Sequence, residues 1–400
     1  MNGPASGLRS SVVALAATMA IQIYTSVAAS APAVLAPVLA PDLGIEPTWI
    51  GVFAGLLYAG AMLGSLAGGE FVARYGAIRV SQVAVLICAA GIGWMAVVPP
   101  DAAVMLVASA IVMGIGYGPI TAASSEVLAR TTRPDRMALT FSIKQTGVPA
   151  GAAIAGALLP AAALAFGWRV AFGAVAAAAI AVVVAAQPTR NALDLRNPDR
   201  KPFSLRAIMS PLRLIARTPR LLELSLSGFA FSSVQVSFMS FLVVYLTALG
   251  WSLVAAGLAL TCATVAAVPG RMIWGALADR SRSATRVLAA IAALACLCGI
   301  AMAVAGPMWP VPAVLALAAF YGFTAIGWNG VQLSELARRA PPGLAASVTG
   351  ASGFISFGGV MVGPIAFAAL GAATGGYRTG FAMCAAVSAA TAALLARRPA

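Results

Sequence analysis

PTRNALDLRNPDRKPFSLRAIMSPLRLIARTPR, residues 188–220, is the one long polar stretch in a chain of 400 residues. It holds eight basic residues and two acidic ones. On either side the sequence is apolar almost without interruption. Six candidate helices precede it, over 11–39, 48–68, 80–98, 102–128, 137–162 and 168–187. Six follow it, over 221–248, 252–274, 287–306, 311–336, 344–371 and 378–396. Each has about the 20 apolar residues that carry a helix across a hydrocarbon core. The polar stretch therefore reads as a linker between two halves, 1–187 and 221–400. A short amphipathic helix near 204–217 is expected on the membrane surface, where basic residues attract anionic lipid. A plain solvated tether is the simpler reading of the same composition.

The chain is 61% hydrophobic and only 9% charged, too few charges to cover a soluble surface of this size. The fold class is an all-α membrane protein, with twelve transmembrane helices in two six-helix bundles. The net charge of +14 lies in the segments between apolar stretches. A nucleic-acid binder gathers such charge on one face of a soluble fold, so no nucleic-acid partner is expected. There is no histidine, which removes imidazole chemistry and histidine metal sites. No nucleophile constellation and no G-x-x-x-x-G-K-[ST] loop is present, so neither an enzyme nor an ATP-driven pump is expected, and no cofactor. The five cysteines, Cys88, Cys262, Cys296, Cys298 and Cys384, all fall in apolar segments and read as small packing residues. The first apolar stretch is too long for a signal-peptide core and is kept as the first span.

Arginine and lysine set the orientation. Arg9, Arg74, Arg79, Arg130, Arg133, Arg136, the 188–220 linker, the 279–286 loop, Arg338, Arg339, Arg397 and Arg398 all fall on one side. The other side has only Arg169 and Arg378, beside Asp42, Glu46 and Asp101. Both termini are then cytoplasmic, in a bacterial-type inner membrane, with the bilayer itself as a partner and a monomer as the expected state.

The two halves repeat. SSEVLAR (124–130) matches LSELARR (333–339), aligning Glu126 with Glu335 at an offset of 209 residues. GWRVAF (167–172) matches GYRTGF (376–381) at the same offset. The segment after Gly69 matches the one after Gly275 at nearly that offset. Repeats in one order at one period imply two bundles related by an axis along the membrane normal.

GALADRSRSATR (275–286) resembles the motif G-x-L-A-D-R-x-G-R of the major facilitator superfamily, found in the loop between the second and third helices of each half. Gly275, Asp279 and Arg280 match, and Arg282 stands where a glycine belongs. GEFVARYGAIR (69–79) keeps Gly69, Arg74 and Gly76 but has Ala73 in place of the aspartate. The resemblance implies alternating access, a substrate site near the midplane, and a latch at the cytoplasmic rim. It further implies that Arg74 pairs with Glu126 and, by the repeat, Arg280 with Glu335. Loss of the aspartate at Ala73 leaves a weaker latch or one that uses Glu70. Glycines and prolines in the fifth helix (Gly147, Gly151, Gly156, Pro149, Pro160) only partly resemble the superfamily's antiporter motif, and antiport is not inferred.

Two cations lie deep in the spans, where each costs about 2.5–3.5 kcal/mol. Lys144 is eight residues past Arg136, about 12 Å along a helix. Its stem can snorkel back to the interface, or its ammonium can face a cavity beside Gln145. Arg271 is eight residues before Asp279. The pattern R-x-x-x-G-x-x-x-D-R resembles that of oxalate/formate exchangers and monocarboxylate transporters. There the equivalent arginine contacts a carboxylate, together with a lysine in the eleventh helix that this chain lacks. A guanidinium pairs with a carboxylate through two bonds. No acid sits mid-membrane. Charge matching then points to a small organic anion, a carboxylate, with a coupled proton or counter-anion. Gln22, Tyr24, Gln235, Trp328, Asn329 and Gln332 fill out the candidate site, though polar groups in spans also serve as helix glue. An efflux transporter for amphipathic compounds and a non-transporting membrane sensor are the competing readings.

Overall fold

The computed structural model describes residues 4–44, 49–99, 103–194, 205–281 and 283–397. The described residues are helical, without strands, and twelve helices are long and apolar enough to cross a membrane. The first six are Ser11–Val34, Gly51–Tyr75, Ala77–Ala96, Met105–Thr131, Pro134–Phe166 and Trp168–Leu193. The second six are Pro219–Ala248, Ala255–Arg280, Ala284–Val304, Val311–Arg339, Ala345–Thr374 and Arg378–Ala396. Glu46, Asp101, Lys201, Arg282 and Arg398 lie outside the described residues, as does most of the linker's first half. The linker's second half is a helix, Leu205–Arg217, that packs on the second span and buries Ile215.

The second and eighth spans run further than the sequence suggested. Both stay helical through the superfamily motif, to Tyr75 and Arg280. The motif's glycine and arginine therefore stand on helix turns, and its aspartate on the last turn of the eighth span. Polar composition looked like a loop, but the backbone there has no reason to leave the helix before Gly76. Gly76 ends it with φ +92°, a conformation that a side chain resists.

Spans meet backbone to backbone where glycines recur every four residues. A Cβ on Gly60 or Gly64 would overlap the carbonyl of Ile111 or Ile115 in the fourth span. One on Gly114 or Gly118 would overlap the carbonyl of Leu57 or Ala61 in return. The second half does the same. Gly270 abuts the Phe323 carbonyl and Gly322 the Ala263 carbonyl, joining the eighth and tenth spans. Each half then packs its own apolar core. The first holds Tyr24, Phe53, Ile92, Trp168 and Phe172; the second holds Phe238, Tyr245, Tyr321, Phe367 and Phe381.

The repeat extends to single hydrogen bonds. Arg169 donates to the Val98 carbonyl at 3.2 Å, past the end of the third span. Arg378 donates to the Ala305 carbonyl at 3.3 Å, past the end of the ninth. A cation at a helix C-terminus satisfies a carbonyl left without an intrahelical partner. Asp42 joins only the first of these. Hydrogen bonds from Arg169 and then from Trp168 hold its carboxyl below the usual carboxylate range.

Chain contacts define two compact units. One is Met1–Thr132 with Lys144–Arg217 and Ala337–Phe354; the other is Arg133–Ile143 with Thr218–Leu336 and Ile355–Ala400. Each unit thus takes in the opening turns of a span from the other half of the sequence.

Gly114→Leu is expected to lower the thermal unfolding midpoint of the purified protein by several degrees, because overpacking costs about 1–3 kcal/mol. Gly55→Ala, whose added Cβ meets nothing within 4 Å, is expected to leave the midpoint unchanged or raise it. Equal behaviour of the two would mean that the glycine contacts do not set the span spacing.

Candidate functional site

The fifth span is broken. A helix runs from Met137 to Gln145, and another from Gly147 to Phe166. Pro149 explains the break, since its ring displaces the carbonyl four residues back, at Gln145, and it has no N–H to offer. Lys144 and Gln145 are the last residues before it. Lys144 is 1% exposed. Its ammonium donates to Gln22 Oε1 at 2.6 Å and to Gln145 Oε1 at 3.1 Å. Gln22 in turn donates to Ser26 Oγ at 3.4 Å, one turn on. The lysine does not snorkel, for its head group is held inside on an amide. Glycine makes this possible. A Cβ on Gly151 would overlap the Ile23 carbonyl, and one on Gly147 would press on the Gln22 side chain at 3.2 Å. The first and fifth spans therefore approach closely enough for Gln22 to reach the ammonium. Tyr24 is about 200° round the helix from Gln22 and belongs to the apolar core instead.

The tenth span is broken too, between helices Val311–Ala325 and Asn329–Arg339. The break covers Gly327, which the 209-residue repeat aligns with Gly118, where the fourth span is interrupted before Pro119. Trp328 stands in the break. Its Nε1 donates to Gln235 Oε1 at 3.0 Å, and its ring stacks on Phe231 with centroids 5.1 Å apart. Arg271 is 4% exposed in the eighth span. The glycine before it abuts Phe323, and Trp274, three residues later, donates to the Phe323 carbonyl at 3.0 Å and lies against Gly327. The turn that carries Arg271 therefore runs alongside the break. Asn329 opens the second helix. Gln332, on the same face, donates to the Leu224 carbonyl at 2.9 Å, in the space left by Gly228. It binds helix to helix. Gln22, Lys144 and Gln145 thus gather at one break, and Gln235 and Trp328 at another with Arg271 beside it. Ser26 and Phe231 escaped the sequence reading, as did the break in the tenth span. The glycines and prolines of the fifth helix, Gly147 and Pro149 among them, mark that helix in the sequence as one that can kink.

The motif residues form two helix caps. Asp279 accepts from Ala138 N and Leu139 N, both at 2.8 Å, at the start of the helix Met137–Gln145. A carboxylate across the first N–H groups of a helix satisfies orphan donors and opposes the positive end of the helix dipole. Gly275, one turn earlier, makes room for Ser142, and so does Gly330. In the first half Ala73 cannot do this. Glu126 does, accepting from Ala346 N at 3.2 Å at the start of the eleventh span. Gly69 lies against Ser347, as Gly275 lies against Ser142. A cavity of about 30 Å³ remains beside Ala73, lined also by Glu126, Arg130 and Ala346. Glu126 is also paired with Arg130, at 3.6 Å. Arg280 is exposed at the end of the eighth span, and Glu335 is buried in the tenth. Gly76 serves the linker. Asp194, 3.6 Å from Arg190, caps Ile78 N at 2.6 Å and Arg79 N at 3.2 Å, and a Cβ on Gly76 would strike its carboxyl.

Such a fold is that of a membrane transporter and not of an enzyme. Residues 16–364 match the family described as Major Facilitator Superfamily, and the chain belongs to it. The fucose:proton symporter FucP of E. coli has the same fold, with a TM-score of 0.76 at 17% identity, covering 97% of this chain and 100% of that one. The human organic anion transporter MFSD10 (TETRAN) follows at 0.74 and 18%, covering 98% and 100%. A hexuronate transporter of Bacillus subtilis (strain 168) is 27% identical over 143 residues, 36% of this chain. That match spans only 33% of the relative's length.

Glu126→Gln is expected to destabilise the protein by about 1–2 kcal/mol, the worth of a cap. Ala73→Asp added to it puts a carboxylate back beside Ala346 and is expected to restore the thermal midpoint. A midpoint unmoved by Glu126→Gln would show that Glu126 is not the cap.

Proposed function

We propose that the chain moves a small organic anion, a carboxylate, across a bacterial-type inner membrane by alternating access. The observation that carries this is the pair of buried cations, Lys144 and Arg271, each at or beside a broken span. Broken helices at membrane depth are tolerated where they serve a cavity or a substrate. The ammonium of Lys144 rests on neutral amide oxygens, which a carboxylate can replace with a stronger, charge-assisted bond. Arg271 offers a planar guanidinium suited to two-point pairing. Gln145, Gln22, Gln235, Trp328 and Asn329 are assigned supporting contacts, with Tyr24 and Gln332 in structural roles. The partial likeness to a hexuronate transporter agrees in class, since a uronate is a carboxylate. Coupling is assigned to a proton or a counter-anion. The positive-inside distribution puts both termini and the linker in the cytoplasm.

Asp279 and Glu126, with Gly275 and Gly69, are assigned the latch. Each cap ties the start of a span in one sequence half to the other half, and its release frees that span end. Arg74, Gly76, Arg280 and Glu335 belong to the same rim.

Counterflow in proteoliposomes with labelled monocarboxylates and hexuronates tests the reading. Wild type is expected to exchange at least one of them. Lys144→Met and Arg271→Met are each expected to reduce exchange by about tenfold to a hundredfold, the loss of a hydrogen bond to a charged group, with insertion intact. Export of lipophilic dyes without any anion exchange would favour the amphipathic-efflux reading. The absence of both would favour the sensor.

A further inference from the structure

The outer face of the first half carries a groove of about 590 Å³ between the second, third and fourth spans. That is within the range of roughly 300–1,000 Å³ typical of small-molecule sites. Its walls are apolar: Ala67 and Phe71 on the second span, Val83 and Ile87 on the third, Ile115 on the fourth. One end differs. Tyr75, the last residue of the second span, stacks beside Phe71 with centroids 6.3 Å apart, and Arg79 stands in the first turn of the third span. From Arg79 to Ile87 is eight residues, about 12 Å along the helix. The groove thus has a cationic mouth at the end of two spans and an apolar body at hydrocarbon depth.

The Arg79 guanidinium makes no ion pair among the described residues. The neighbouring acid, Asp194, is engaged by the backbone N–H groups of Ile78 and Arg79 and by Arg190. A guanidinium exposed at a span end pairs well with a phosphodiester. An amphiphile with one anionic head and an acyl tail has the same order of parts as the groove. We propose that this groove holds one anionic phospholipid, its phosphate on Arg79 and one acyl chain along Ala67, Val83 and Ile115. This differs from general contact with the bilayer in two respects: it selects a head group, and it occupies a defined cleft.

The full chain, purified in mild detergent and given equal amounts of phosphatidylglycerol and phosphatidylcholine with identical acyl chains, is read by native mass spectrometry. Wild type is expected to retain phosphatidylglycerol at least tenfold over phosphatidylcholine. Arg79→Gln is expected to bring the two to parity. Ala67→Trp is expected to remove the retained lipid altogether. Leu63→Trp, at a groove position that is 60% exposed and so poses no packing problem, is expected to do the same. Equal retention of the two lipids by wild type overturns the proposal. So does an Arg79→Gln protein that keeps the preference, or retention undiminished in both tryptophan variants.

Discussion

A backbone N–H or carbonyl in hydrocarbon has no water to turn to, and leaving one unpaired costs several kcal/mol. The rest of this structure depends on that constraint. It makes every span a helix, and it makes every interruption of a helix an expense that something must offset. The chain interrupts its fourth, fifth and tenth spans. The fifth has Gln145 and Lys144 at its gap, and the tenth has Trp328 bonded to Gln235. Buried polar side chains and broken backbone therefore occur together at two of these three places.

The same constraint governs helix ends. The first N–H groups of the fifth and eleventh spans need acceptors, and two acids from opposite sequence halves supply them. Asp279 stands in the motif position that the superfamily resemblance assigns it. Glu126 reaches the equivalent place from a different helix, because Ala73 has left the motif position without a carboxylate. One requirement is met by two routes, and the small cavity beside Ala73 marks where the routes diverge. Glycine makes both possible, since Gly69 and Gly275 bring the helix starts within reach of a short acidic side chain.

Much of the architecture was legible in the sequence. Apolar length set the count of twelve, and the repeat aligned residues whose structural roles then matched, Arg169 with Arg378 above all. Span ends were less legible, because a helix that projects past the hydrocarbon loses its apolar signature before it loses its hydrogen bonds. Hence the superfamily motif looked like a loop. Partners across long sequence distances were not legible at all. Nothing near Glu126 points to Ala346, 220 residues away, and the general family pattern suggested Arg74 instead. The environment of Lys144 stood between. Its depth allowed two readings, and only the approach of Gly147 and Gly151 to the first span, which brings Gln22 to the ammonium, decides for burial.

The break at Thr146 has a mechanical consequence. The boundary between the two compact units crosses the fifth span between Ile143 and Lys144, three residues from that break. It crosses the eleventh between Phe354 and Ile355, inside a helix uninterrupted from Ala345 to Thr374. It also crosses the tenth between Leu336 and Ala337, inside the helix Asn329–Arg339. Of these three spans the fifth has a joint close to the crossing, and the eleventh is a continuous rod. Bending of the fifth span concentrates in a few dihedrals, and bending of the eleventh is spread over many turns. Lys144 is mounted on the joint, so a small rotation there re-aims its ammonium while Gly353, its counterpart by the repeat, has nothing to re-aim.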